Sequence, residues 1–124
     1  MKKLLSSLAL FLLCFSLSAQ SYKAYCELVP SEQFNREADI NVFIDFGQKT
    51  EGRLPQIADK DSGEGIVFNS AVSALNFMSK LGWKLEYVYE KASRVKYVLS
   101  KEVTDDNQIT EGFKLSTGAD KKKK

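Results

Sequence analysis

Only one stretch of this 124-residue chain has helical periodicity, and the stretches around it alternate apolar and polar residues with a period of two. A lone helix covers one side of a sheet, so the chain is limited to architectures whose other sheet face is solvated or partnered. The helical stretch starts at Asn69 or Ser70, either of which can accept a bond from a first-turn N–H. Val72, Leu75, Met78 and Leu81 follow in steps of three, with Ala71, Ala74 and Phe77 widening the apolar stripe. Gly82 then stands where a left-handed residue ends a helix.

Strands are predicted over residues 22–29, 40–46, 83–90 and 94–101, the last two joined as an antiparallel hairpin. Residues 48–65, punctuated by Gly52, Pro55, Gly63 and Gly65, read as loop. The order predicts an α+β domain over residues 20–101: two layers, a four-stranded mainly antiparallel sheet and one helix on one face (ββαββ). Ala24, Cys26, Leu28, Val42, Ile44 and Phe46 should face the helix from the first two strands. Trp83, Leu85, Tyr87, Val95, Tyr97 and Leu99 should do so from the hairpin, against Leu75 and Met78. Truncating Leu75 to alanine is expected to cost about 2–5 kcal/mol. Residues 102–124 are polar and expected to be disordered or loosely docked, because Ile109, Phe113 and Leu115 stand isolated there.

Phe68-Asn69-Ser70, Ala74-Leu75-Asn76-Phe77-Met78 and Leu81-Gly82-Trp83-Lys84-Leu85 resemble a bacterial family of small strand-strand-helix-strand-strand domains, named only as a domain of unknown function. The likeness is to its secreted, uncharacterised version, familiar among exported proteins of Gram-negative gut bacteria. It spans residues 22–101 and implies fold and export, with no activity to carry over.

Residues 1–19 read as an address. Lys2 and Lys3 precede an apolar run broken by Ser6, Ser7 and Ser16, and the small residues Ser18 and Ala19 close it. This is the secretory signal pattern, and the run is too short to span a bilayer. Cleavage after Ala19, or after Ser18, predicts an exported chain, periplasmic or extracellular. Cys14 lies inside the apolar run rather than after it, which argues against lipid attachment.

Removing Lys2 and Lys3 takes the 18 basic residues to 16, equal to the 16 acidic ones, and four of the remaining lysines stand at 121–124. The body is therefore net acidic, which argues against a nucleic-acid partner. The chain has no histidine, so the commonest general base and metal ligand are both missing. Cys26 is the one cysteine left after processing, and its place in an alternating strand predicts a buried, inert thiol. Asp59-Lys60-Asp61-Ser62-Gly63-Glu64 fails as a calcium loop. Gly63 at the fifth position offers no side-chain oxygen, Glu64 replaces the sixth-position glycine, and Ser70 stands at the twelfth. A charged turn is the expectation there, with neither metal nor cofactor.

These features predict a non-catalytic, exported binding or interaction module. Its contact surface is the sheet face away from the helix, where Tyr25, Phe43, Val88 and Val98 are the candidate binding residues, beside Val29. Lys23, Glu27, Asp45, Lys84, Glu86 and Lys96 share that face, a mixture that suits either plain solvation or a partner, a second copy or another protein. The alternative is a small hydrolase using Asp45 with Glu86, or Asp59, Asp61 and Glu64. The lysines at 121–124 offer a further weak, electrostatic contact with an anionic envelope surface.

Overall fold

Strand β1 (Tyr22–Pro30) is central, pairing antiparallel with β2 (Val42–Asp45) on one side and β5 (Arg94–Val103) on the other. The computed structural model describes residues 20–31 and 39–117, so the expected signal segment and the terminal lysines lie outside the described residues. Beyond β5 lies β4 (Lys84–Lys91), and beyond β2 lie β3 (Gln56–Ala58) and β6 (Lys114–Ser116). The order is β4-β5-β1-β2-β3-β6, every neighbouring pair antiparallel. With its one helix, α1 (Ala71–Lys80), the described chain is α+β.

The sheet has six strands rather than the expected four. β3 and β6 are three residues each, too short to display a period, and they pair with each other across most of the domain, Ile57 opposite Leu115. Such pairing is set by tertiary context and not by local propensity. The Pro55 carbonyl, just before β3, accepts the Ile44 N–H at 3.0 Å, which ties the expected loop to β2.

The expectation of a loose tail is corrected over residues 102–117. β5 runs to Val103, and a 3-10 turn follows over Asp106–Thr110, where the Asp105 carboxylate accepts the Asn107 N–H at 2.8 Å. Val103 and Phe113 are buried in the main core, and Ile109 packs against it. Gly112 (φ +94°) closes this segment on the helix end, where an added Cβ would sit 2.3 Å from Leu81 Cδ2. Gly112→Ala should therefore lower stability by about 1–3 kcal/mol through strain and overpacking. An unchanged urea midpoint would show that this segment does not press on Leu81.

Helix α1 is stopped at both ends by its own sequence. The Ser70 hydroxyl accepts the Ser73 N–H at 3.3 Å, and the Ser73 hydroxyl accepts the Ser70 N–H at 3.2 Å, a capping box with serine in place of the usual glutamate. At the other end the Trp83 N–H bonds the Met78 carbonyl and the Gly82 N–H bonds the Ser79 carbonyl, with Gly82 at φ +95°. This is the Schellman pattern, and it delivers Trp83 directly into the core. Ala74 and Met78 enter one cluster with Ala24, Cys26, Leu28, Val42, Ile44 and Leu99, the alternate residues of β1, β2 and β5. Ile40 and Phe68 join it through two mutual 2.8 Å backbone bonds, and Ile57 through β3.

Three residues expected in this layer are not buried. Leu85 and Val95 are exposed although they face the helix side, Leu85 because it lies on the edge strand and Val95 because it lies beside the hairpin turn. Tyr87 is on the other face altogether. A β-bulge between Leu85 and Tyr87 inserts Glu86 and reverses the alternation for the rest of β4. Phe46, Leu75 and Tyr97 are only partly buried against the cluster.

Candidate functional site

Opposed residues of an antiparallel pair point to the same side, so the register states which side chains share the open face. Glu27 stands opposite Asp45 on β2 and Val98 on β5; Tyr25 stands opposite Ser100, and Val98 opposite Tyr87 on β4. Of the expected binding residues, Tyr25 (55 % exposed), Phe43 and Val98 lie on this surface. Val88 does not. It stands opposite Tyr97, which stands opposite the core residue Leu28, so Val88 belongs to the helix side. The bulge at Glu86 is the cause. It brings Tyr87 (58 % exposed) and Tyr89 to the open face instead.

Tyr25 and Val98 line one shallow groove of about 510 Å³ with Tyr87, Phe46, Glu27 and Asp45. Phe43 is elsewhere on the face, in a separate cleft of about 570 Å³ with Val29, Leu54, Arg53 and Arg94. Tyr87 and Tyr89 are 6.0 Å apart between ring centroids. The Tyr89 hydroxyl donates to Glu27 Oε2 at 2.5 Å, while Lys96 Nζ lies 3.3 Å from Glu27 Oε1. Glu86 accepts the Ser100 hydroxyl and lies 3.8 Å from Lys23 Nζ. These cross-strand pairs fix the polar rim. Asp45 accepts the Gly47 N–H at 2.9 Å and forms no ion pair among the described residues.

The Ser100 hydroxyl, helped by Lys23 and Lys84, holds the Glu86 carboxyl below its usual range. The hydrogen bond to Glu27 pushes the Tyr89 phenol up to about 12, and the bond to Asp106 does the same for Tyr22. Both folded values exceed the free value of 10.0, so the stability these bonds contribute is complete below pH 10 and lost as pH rises from 10 to 12. Phenolate absorbance should accordingly show two tyrosines titrating near 12, and Tyr89→Phe should remove one of them.

Asp45 and Glu86, the carboxylates of the hydrolase alternative, are on β2 and β4 with β1 and β5 between them. Three strand spacings put their backbones about 14 Å apart, and each side chain is already bonded to its own neighbourhood. Asp59 is committed to the turn: its Oδ1 accepts the Asp61 and Ser62 N–H groups, which lower its carboxyl from the usual value. No group of three or more acidic or cysteine side chains able to hold a metal occurs among the described residues. Cys26 is buried, and desolvation pushes its thiol up to about 12, away from the reactive thiolate.

The sequence reading missed Tyr87 and Tyr89. Their signal was Val88, a lone apolar residue on a supposed face of Lys84, Glu86 and Glu90, with two hydroxyl-bearing rings assigned to the dry side. Comparisons with protein-family models, curated proteins and solved structures returned no match.

Proposed function

We propose that this chain is an exported, non-catalytic binding module whose ligand lies across the open sheet face. The observation that supports it is the groove between Tyr25 and Tyr87, floored by Val98, whose charged lining among the described residues is Glu27 and Asp45. Aromatic walls with carboxylates suit a cationic group on an apolar body, such as the lysine or arginine side chains of an extended basic peptide. Asp45, with no cation of its own among the described residues, is the charge such a ligand would meet.

Titrating an oligo-arginine peptide into isotopically labelled protein tests this. Amide shifts should be confined to Tyr25, Glu27, Asp45, Tyr87 and Val98 and should weaken with added salt. Tyr87→Ala should lower affinity about tenfold, or ~1.4 kcal/mol. Shifts centred elsewhere, or none, overturn the reading. Export rests on the pattern of residues 1–19, and mass spectrometry of protein from the periplasm or medium should find Gln20 as the first residue.

A further inference from the structure

Strand β4 is an edge: its one neighbour is β5, and among the described residues nothing pairs with its outer rim. Proteins usually shield such an edge by shortness, proline or charge. β4 carries the bulge and has charges toward its two ends, Lys84, Glu86, Glu90 and Lys91. It is nevertheless eight residues long, has no proline, and exposes apolar groups on both faces between those charges, with Tyr87 on the open side and Leu85 and Val88 (47 % exposed) on the helix side. The segment Glu86-Tyr87-Val88-Tyr89-Glu90 also reads the same in both directions about Val88.

We propose that β4 is the interface of a homodimer, two copies joining antiparallel and edge to edge about Val88 to continue one sheet through both. Two identical strands can pair this way only about a residue, because pairing about a peptide bond would oppose side chains from different faces. With Val88 on the axis, Val88 meets the partner's Val88 on the helix side. Tyr87 meets the partner's Tyr89 on the open side, twice by symmetry, in the cross-strand aromatic pairing that stabilises sheets.

A regular strand would then set Glu86 against Glu90 of the partner subunit, like charges face to face. The bulge removes that conflict. Glu86 turns to the open side, where it bonds Ser100, while Glu90 stays on the helix side opposite Val95. The next open-side residue across the seam is the partner's Lys91, so each seam gains two Glu86–Lys91 pairs. Both open faces end on the same side, their tyrosines forming one strip. The seam shares Tyr87 with the groove, but it rests on the β4 edge and holds whatever the groove binds.

Among the described residues the core runs from Ala24 to Phe113, all of it within the processed chain starting at Gln20. Sedimentation equilibrium of that chain should give a reversible dimer. Lys91→Glu should weaken it at least tenfold, and Lys91→Glu with Glu86→Lys should restore it. Val88→Cys should give a disulfide-linked dimer on mild oxidation, since Cys26, buried, supplies no competing thiol. Glu90→Cys should not, because the two Glu90 positions would lie about 14 Å apart, beyond disulfide reach. A monomer at all concentrations overturns the proposal. So does a dimer indifferent to Lys91→Glu and unlinked by Val88→Cys, which places the contact elsewhere.

Discussion

Trp83→Ala lowers the unfolding free energy by about 3–5 kcal/mol, the range for removing a fully packed aromatic side chain. Trp83 is 3 % exposed and belongs to the same cluster as Met78, Leu99 and Phe113. Its backbone closes the helix on the Met78 carbonyl, so the ring is delivered to a position that the chain has already fixed. The Lys101 ammonium lies 6.0 Å from the ring centroid, roofing the corner from the solvent side. A domain of this size has about 5–15 kcal/mol in total, and the variant should be close to its threshold. Because Trp83 is the sole tryptophan, unfolding is followed by circular dichroism. A loss under 1 kcal/mol would mean the glycine–tryptophan corner does not organise the core.

Trp83→Phe separates packing from polarity. The indole N–H is buried with no hydrogen-bond acceptor among the described residues. Leaving a buried donor unpaired costs about 1–3 kcal/mol, and phenylalanine removes that cost while keeping most of the ring. The phenylalanine variant should therefore lose markedly less than the alanine variant, despite giving up the larger ring.

The capped helix, the glycine–tryptophan corner and the inward parity of β1 and β2 were legible in the sequence because each is written in local signals. Ser70, Gly82 and the alternation of Ala24, Cys26 and Leu28 needed no knowledge of distant residues. What escaped was decided at long range. β3 and β6 are strands through their pairing with each other, Ile57 opposite Leu115, and Phe113 enters the core just before β6. The open face was half legible for the same kind of reason. Tyr25 and Val98 lie on strands whose parity never changes, whereas Val88, Tyr87 and Tyr89 lie beyond a bulge visible only in the pairing of β4 with β5.

The helix stripe carries the same lesson into energetics. Met78→Ala should cost about 2–5 kcal/mol, and Leu75→Ala clearly less, although steps of three put both on the same stripe. At 3.6 residues per turn each residue advances about 100°, so steps of three slip by about 60° and the series from Val72 to Leu81 winds half-way round the helix. The structure resolves the winding: Val72 is 62 % exposed, Leu75 half-buried, and Met78 fully enclosed. Ala74, one turn before Met78, is the other buried helix residue, and its small side chain leaves Met78 as the long one reaching into the cluster. Removing that thioether opens a cavity within the cluster that also holds Trp83 and Leu99, whereas truncating Leu75 acts on a flank that water can already reach. Chemical denaturation of the two variants side by side checks the order, and a Leu75 loss equal to or above the Met78 loss would require the helix to be rotated on the sheet.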